Sequence, residues 1–271
     1  MRSVKTHTRM EIARTTPLTG APFTLAIDIG GTNIKASVLD RTGSLVTERK
    51  RSETPRPGTP ETILACIASL AEKLPPFDRV SAGFPGVVKG GRVITAPNLG
   101  NDQWAGYQLI DALASRFGAP TRILNDAEVQ GLGVVEGPGL ECTITLGTGI
   151  GCALFRNRKL LLHLEIGQHP HGGESYDLYI GDAARRAIGY DAWNERVQGF
   201  IPVVLSLTAC DFLYVGGGNA RHIAFALPKR AKIVSNSAGV TGGVRLWEPE
   251  LDERFAGELN AQWPARSEGN G

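Results

Sequence analysis

The sequence predicts a mixed α/β protein built from two related α/β domains that face each other across a cleft. Its 271 residues exceed the length of one ordinary domain. Each half of the chain begins with apolar segments around a glycine turn, which predict an antiparallel meander, and continues with segments of helical periodicity. Glycine is also in excess, with 34 residues, and much of this excess lies in three clusters that each follow an apolar strand. We expect the functional site in the cleft between the domains.

The composition is that of a soluble globular protein, with 42% hydrophobic and 21% charged residues. A formal charge of +2 is too small for the dense cationic surface that nucleic-acid binding needs, so nucleic acid is not an expected partner. No apolar run reaches the roughly 20 residues that span a bilayer, and residues 1–22 lack the apolar core of a secretory signal. The four cysteines form no C-x-x-C pair, which is typical of a reducing compartment. We therefore expect a cytoplasmic protein with no membrane partner.

Residues 23–125 are predicted to form an N-terminal α/β domain, after a flexible extension over residues 1–22. The strands of its opening meander are predicted at residues 24–28, 34–39 and 44–48. Thr59 and Pro60 predict the start of a helix, as cap and first helical residue, and Pro75 ends that helix. A further strand, helix and strand are predicted at residues 79–84, 109–117 and 121–124.

Residues 126–236 are predicted to form a C-terminal α/β domain that opens with a helix after Asn125 and Asp126. Its strands are predicted at residues 142–146, 150–156, 159–164, 212–215 and 232–234. Its later helices are predicted at residues 176–188 and 192–204. Residues 237–250 are predicted as a terminal helix that could pack back on the N-terminal domain, and residues 251–271 as a frayed tail.

Three glycine clusters could hold a phosphate chain, and they lie at residues 28–32, 146–151 and 216–219. Glycine lets backbone N–H groups approach a phosphate closely, and neighbouring threonines add hydroxyl donors. The alternative is that these glycines simply close hairpins. No G-x-x-x-x-G-K-[ST] motif occurs, and Glu136 stands where the third glycine of a Rossmann motif would follow Gly131 and Gly133. The two common nucleotide motifs therefore do not explain the clusters.

Three features together resemble the sugar kinase, actin and heat-shock ATPase superfamily. They are an acid at a strand end with a Gly-Gly-Thr hairpin, a later Gly-Thr-Gly hairpin, and a final Gly-Gly-Gly. Within it, the ROK family of sugar kinases fits best. The resemblance covers residues 24–247 and rests on seven motifs in the family's order, at residues 28–35, 83–86, 97–99, 125–127, 146–151, 165–167 and 214–218. Lys35 and the segments 175–179 and 193–197 resemble the branch of polyphosphate glucokinases.

The resemblance implies two ribonuclease H-like (actin-like ATPase) domains and a homodimer. It also implies a hexokinase or glucokinase-type phosphotransferase, with the 6-hydroxyl of glucose as the expected acceptor. ATP with Mg²⁺ is the expected donor, and polyphosphate is the variant. A polyanion needs a basic groove, and the candidates in the sequence are Lys35, Arg156, Arg158 and Lys159.

The resemblance assigns the chemistry to two aspartates. Asp126 matches the family's general base, which takes the proton of the attacking sugar hydroxyl, although by local sequence it or Asn125 could merely cap the next helix. Asp28 would lie near the transferred phosphoryl group and hold Mg²⁺ or its waters, although aspartate also forms hairpin turns. The residues expected at the phosphates and the nucleoside are Gly30, Gly31, Thr32, Lys35, Gly147, Thr148, Gly149, Gly217 and Gly218.

The resemblance also implies sugar contacts, at Asn98, Asn125, Glu165, Gln168, His169 and Asp177. Glu174 competes with Asp177 for the role of the second acid. Gln168 stands where the family usually has a histidine, which leaves the choice of sugar open.

Many ROK proteins bind a structural zinc ion with a cysteine cluster. This chain has no cysteine between Cys152 and Cys210, and His163, His169 and His171 are interpreted as exposed or hydrogen-bonding histidines. We predict no zinc site.

The alternative function is a non-catalytic sugar sensor or regulator, since some ROK proteins are transcription factors. Those proteins carry an N-terminal helix-turn-helix domain, and residues 1–22 show no recognition-helix pattern. Asp28 and Asp126 favour the kinase.

Overall fold

The computed structural model describes residues 21–235, 238–252 and 254–255. The predicted extension at residues 1–22 and the predicted tail at residues 251–271 lie largely outside the described residues. The strands within the described residues are β1 (Thr24–Ile29), β2 (Asn33–Leu39), β3 (Lys50–Glu53), β4 (Arg79–Phe84), β5 (Val88–Lys89), β6 (Arg92–Val93), β7 (Thr121–Asn125), β8 (Leu140–Leu146), β9 (Ile150–Arg156), β10 (Lys159–Leu160), β11 (Pro170–His171), β12 (Glu174–Ser175), β13 (Phe212–Gly216) and β14 (Ala231–Ile233).

The helices pack around these strands. The α-helices are α1 (Pro60–Ala71), α2 (Asn101–Trp104), α3 (Leu109–Phe117), α4 (Asp126–Leu132), α5 (Tyr176–Ile180), α6 (Asp182–Thr208) and α7 (Ala238–Arg245). Short 3₁₀ helices lie at Ile166–Gln168, Ala220–His222 and Pro249–Leu251. Among the helices described, none is long and apolar enough to cross a membrane.

Two five-stranded sheets repeat one pattern. The first has the order β3-β2-β1-β4-β7, and the second has the order β10-β9-β8-β13-β14. In each sheet an antiparallel hairpin, β1 with β2 or β8 with β9, is followed by strands that run parallel to the first strand of that hairpin. The predicted architecture of two related α/β halves is confirmed.

The third strand of the first meander is not where the sequence predicts it. It was expected at residues 44–48, but β3 begins at Lys50, which pairs with Ala36. Asp40 closes a tight turn by accepting the N–H groups of Thr42 and Ser44 at 2.8 and 3.0 Å, so the chain needs several residues before extended pairing resumes. The sequence of β3 is Lys-Arg-Ser-Glu, which lacks apolar residues because β3 is an edge strand.

The second half also departs from the predicted element boundaries. The helix expected at residues 176–188 is interrupted after Ile180, where α5 ends, and the helix expected at residues 192–204 extends to Thr208. The predicted break between them is present inside α6, at Gly189. Gly189 bends α6 with a φ of 81°, a left-handed conformation that glycine adopts without a Cβ penalty. The strand expected at residues 159–164 ends at Leu160.

The hydrophobic core is divided among three clusters. One fills the space between the first sheet and helices α1 and α3, and a second lies between the second sheet and α6. The third joins α4 to the second sheet and to the C-terminal segment, through residues such as Val129, Phe155 and Leu246. Helix α7 lies against the first sheet, where the Ser81 hydroxyl donates to the carbonyl of Gly243 at 2.6 Å. Helix α4 therefore sits between the two sheets.

Candidate active site

A cleft of about 490 Å³ lies between the two halves and is lined by residues from both. This volume is in the range of small-molecule sites. The cleft brings together all of the residues predicted to hold phosphates and nucleoside, namely Gly30, Gly31, Thr32, Lys35, Gly147, Thr148, Gly149, Gly217 and Gly218. It is also lined by both predicted catalytic aspartates and by Asn98, Asn125, Glu165 and Asp177.

The first two glycine clusters are hairpins that meet across the cleft. The N–H of Gly30 donates to the carbonyl of Asn33 at 3.0 Å, and the N–H of Gly147 donates to that of Gly149 at 2.9 Å. The hydroxyls of Thr32 and Thr148 lie 3.1 Å apart. Hydroxyl donors from both sheets therefore converge on one point, as a bound phosphate chain requires.

The third glycine cluster is tied to the second. Gly217 has a φ of +87°, and a Cβ on it would lie 2.4 Å from the backbone nitrogen and oxygen of Leu146. The Asn219 side chain donates to the carbonyl of Gly147 at 3.2 Å. Only glycine lets the end of β13 pass this close to β8, which places Gly217 and Gly218 at the wall of the cleft.

Asn125 and Asp126 have different roles at the start of α4. Asn125 is the N-cap, and its side-chain oxygen accepts the N–H of Ala127 at 2.9 Å. Glu128 completes a capping box by accepting the N–H of Asn125 at 3.1 Å. Because Asn125 supplies the cap, Asp126 is the first helical residue and lines the cleft.

The electrostatics of the cleft suit Asp126 to accept a proton. Burial and the negative charges of Asp28 and Glu165 raise the pKa of Asp126 to about 7, against the opposing effects of the Ala127 N–H and of Lys35. A carboxylate with a pKa near neutrality is effective as a general base at physiological pH. Asp28 faces Lys35 across the β1–β2 hairpin in an ion pair of 2.7 Å.

The residues predicted to bind sugar differ in their position relative to the cleft. Asn125 is buried and also donates to the carbonyl of Gly86 at 3.1 Å. Asp177 accepts the N–H of Ile150 at 2.7 Å and the Gln168 side chain at 2.7 Å, and burial raises its pKa. Gln168 is exposed and does not line the cleft itself; its side chain contacts Asp177, and its N–H donates to the carbonyl of Glu165 at 3.1 Å. His169 is exposed and lies outside the cleft lining.

Sequence reasoning missed a buried network behind Glu165. His163 lies between two carboxylates, with Nε2 at 2.5 Å from Glu165 Oε1 and Nδ1 at 3.1 Å from Glu128 Oε1. Burial acts to lower the pKa of His163, but the hydrogen bonds to Glu128 and Glu165 outweigh it and raise that pKa to about 9. Glu128 is 35 residues from His163 in sequence, so no local pattern indicates the contact.

Three of the four cations considered for a basic groove lie away from the cleft. Arg156, Arg158 and Lys159 are exposed on the β9–β10 hairpin and do not line the cleft, because this hairpin lies at the outer edge of the second sheet. Lys35 does line it, together with cations that sequence reasoning did not select, namely Arg49, Arg51, Arg185, Arg186 and Arg221.

No group of three or more His, Cys, Asp or Glu side chains in the described part of the chain could hold a metal ion. The expectation that the protein has no zinc site stays a prediction.

The sequence model of the ROK family matches residues 24–175. The chain belongs to the ROK family. This ROK protein is 29% identical to the polyphosphate glucokinase of Mycobacterium tuberculosis over 254 residues, which cover 88% of this chain and 96% of that enzyme.

Solved structures agree with this assignment. An inorganic polyphosphate/ATP-glucomannokinase from Arthrobacter sp. strain KM has a TM-score of 0.76 at 29% identity and covers 83% of this chain and 98% of that chain. A ROK family glucokinase from Streptomyces griseus, solved with glucose and AMPPNP, has a TM-score of 0.66 at 21% identity. The match covers 83% of this chain and 98% of that chain. The ROK protein therefore has the two-domain actin-like ATPase fold and is a sugar kinase of the glucokinase branch.

Proposed function

We propose that this sugar kinase transfers the terminal phosphoryl group of ATP or polyphosphate to the 6-hydroxyl of glucose. The observation that carries this proposal is Asp126, which lines the same cleft as the two glycine hairpins and Glu165 and feels the charges of Asp28 and Glu165. The relatives support the two donors and the hexose, since one is a polyphosphate glucokinase and another is a polyphosphate/ATP-glucomannokinase.

Asp126 is the proposed general base. As the glucose oxygen bonds to phosphorus, the donor's bridging P–O bond breaks and the hydroxyl proton passes to the Asp126 carboxylate. A pKa of about 7 makes the Asp126 carboxylate a stronger base than an ordinary aspartate, so it accepts this proton more readily as the new P–O bond forms. Asp126 is held in place by α4, whose cap is supplied by its neighbour Asn125.

The hairpins are proposed to hold the donor. Gly30, Gly31 and Gly147 leave room for phosphate oxygens at the backbone, and Thr32 and Thr148 supply hydroxyl donors from the two sides. Gly149 leaves room for the Asp177 carboxylate, which would lie 2.7 Å from a Cβ at this position, and Gly217 and Gly218 are proposed to lie beside a nucleoside.

Asp28 is the proposed holder of Mg²⁺, directly or through water. Its side chain is 50% exposed within the cleft, and only one carboxylate oxygen pairs with Lys35. This fits Mg²⁺, which keeps several waters and takes one or two carboxylates together with substrate phosphates. When bound, the ion would neutralise charge on the transferred phosphoryl group.

Glu165, Asn98, Asp177 and Asn125, which all line the cleft, are proposed to bind the sugar hydroxyls. Gln168 is proposed to act through Asp177, which it contacts. The role assigned to His169 by the family pattern stays a prediction. We further propose that the enzyme acts in the cytoplasm as a homodimer.

The reaction is tested by product analysis. Purified protein is incubated with Mg²⁺, with ATP or polyphosphate, and with glucose, mannose or N-acetylhexosamines, and sugar phosphate is read by mass spectrometry. We expect glucose 6-phosphate from at least one donor. Sugar binding by thermal shift without product from any pair would contradict the proposal and favour the sugar sensor.

A further inference from the structure

Cations form a cross-strand row on the face of the first sheet that borders the cleft. In the register of the sheet, Asp28 of β1 lies opposite Lys35 of β2, and Lys35 lies opposite Arg51 of β3. Directly opposed residues project to the same face of a sheet. Neighbouring strands are about 4.8 Å apart, so the row leads from the proposed catalytic centre to the sheet edge in two strand spacings.

Arg49 extends this row along the edge. Side chains alternate between faces in an extended chain, so Arg49 and Arg51 point to the same side, and both line the cleft. Lys50, which stands between them, points to the opposite side and does not line the cleft. We call Lys35, Arg49 and Arg51 the β3 cation row.

The charge of this row is not neutralised by the protein at its outer end. Within the described residues, neither Arg49 nor Arg51 has a carboxylate within 4.0 Å, although exposed Glu53 follows on the same face. Two of the cations that the second half contributes to the cleft are partly neutralised. Arg185 and Arg186 both pair with Asp182, at 2.8 and 2.7 Å. Arg49 and Arg51 therefore have charge left for an anionic ligand at the edge of the first sheet.

The row also continues beyond the cleft. Arg51 lines a second groove of about 480 Å³, which runs beside α1 and is bordered by Thr62, Ser69 and Lys73. Lys73 is exposed and adds a further cation. A path lined by cations and hydroxyls therefore leads from Asp28, over β3, to the outer surface of α1.

We propose that the β3 cation row binds the inner phosphates of an inorganic polyphosphate chain whose terminal phosphoryl group lies at Asp28. A nucleotide donor ends in an uncharged nucleoside and has no use for cations along such a path. A polyphosphate chain carries charge on every unit, and arginine binds phosphate oxygens with charge-assisted hydrogen bonds. The inference rests on the proposed sugar kinase activity and assigns a separate site to the long donor.

The test compares donors in matched variants. Arg49→Gln/Arg51→Gln removes the two edge cations, and Lys50→Gln removes a cation from the same strand on the opposite face. The KM for glucose phosphorylation is measured with long-chain polyphosphate, tripolyphosphate and ATP. Binding of fluorescent long-chain polyphosphate is measured by anisotropy at low and high salt.

We expect the double variant to raise the KM for long-chain polyphosphate at least about tenfold, with the KM for ATP within about twofold of wild type and Lys50→Gln unchanged. Its polyphosphate affinity should also depend less steeply on salt, because fewer phosphates are contacted. An equal rise in the KM for ATP would contradict a separate site for polyphosphate. A double variant that binds polyphosphate as tightly as the wild type would also contradict it.

The two proposals fail in different ways. If the wild-type protein phosphorylates glucose with ATP but neither uses nor binds polyphosphate, the proposed role of the β3 cation row is wrong and the proposed kinase activity stands. A wild-type protein that is inactive with every donor would overturn the proposed reaction, and the anisotropy comparison would still decide whether Arg49 and Arg51 bind the polyanion.

Discussion

At the residue scale, the pKa of Asp126 sets the pH dependence of the reaction. Burial, Asp28 and Glu165 raise this pKa to about 7, and the carboxylate must be ionised to accept the hydroxyl proton. We expect kcat/KM for glucose to fall about tenfold for each pH unit below 7, since the ionised fraction falls by that factor. A kcat/KM profile, measured at saturating donor, that stays flat down to pH 5 would contradict this role.

His163 is predicted to position Glu165 for the sugar. Its pKa of about 9 keeps the ring protonated at neutral pH, so both nitrogens donate, one to Glu165 and one to Glu128. His163→Asn cannot reach both carboxylates, and we expect it to raise the KM for glucose about tenfold with kcat nearly unchanged.

The pH dependence of that KM is an internal control. In the wild type the KM for glucose should rise as the pH passes about 9, where His163 loses its proton, and in His163→Asn it should not. The same ion pairs stabilise the fold below pH 6.5, and that contribution is lost as the pH rises through about 9. A purely structural role would move stability in the variant but leave the KM of the folded enzyme unchanged.

The roles of single residues can be predicted from the sequence where they depend on neighbours a few positions away. A helix cap was expected at Asn125 or Asp126, and the structure shows Asn125 as the cap, with Glu128 completing a capping box. The roles of His163 and Arg51 could not be predicted this way. Their partners are set by sheet register and by the approach of the two halves, which contact one another across long separations in sequence.

At the scale of elements, the cap of α1 gives a quantitative test. The Thr59 hydroxyl accepts the N–H of Thr62 at 3.2 Å at the first turn. We expect Thr59→Ala to lower the free energy of unfolding by about 1 kcal/mol, measured by urea denaturation. Thr47→Ala is a control at an exposed bend outside any helix or strand, where a change within about 0.5 kcal/mol is expected. Equal losses in the two variants would contradict the capping role.

Elements with a strong periodic pattern were predicted accurately. The observed bounds of β4, β9 and α3 coincide with residues 79–84, 150–156 and 109–117 of the sequence prediction. The errors fall where tertiary context overrides local pattern. Strand β3 has no apolar signal because it is an edge strand, and the predicted helix at residues 176–188 is interrupted after Ile180. The predicted break between residues 188 and 192 is present, since the backbone of Gly189 within α6 is not helical.

At the scale of the whole molecule, the cleft joins two halves that each carry part of the site. Thr32 and Thr148 are 116 residues apart in sequence and touch across it. No spacing rule predicts that contact; the resemblance to the ROK family assigned both threonines to the phosphates, and the structure shows that they touch. The same resemblance could not supply the β3 cation row, because the row becomes visible only when β3 is placed correctly.

Because glucose is proposed to bind residues of both halves, it should stabilise the folded chain as a unit. At a glucose concentration 100 times its Kd, we expect about 2.7 kcal/mol of added stability, seen as a rise in Tm with a single transition. A sugar that leaves the Tm unchanged at concentrations that saturate the reaction would contradict binding between the halves.

The most direct measurement is the single-turnover rate of glucose 6-phosphate formation in Asp126→Asn. The substitution keeps the size of the side chain and leaves the cap at Asn125 in place, so we expect glucose affinity and Tm to stay near wild type. The rate should fall by about 10² to 10⁴, whereas Asp111→Asn, on the exposed side of α3, should retain the wild-type rate. An Asp126→Asn protein that binds glucose and reacts at the wild-type rate would contradict the assignment of Asp126 as the base.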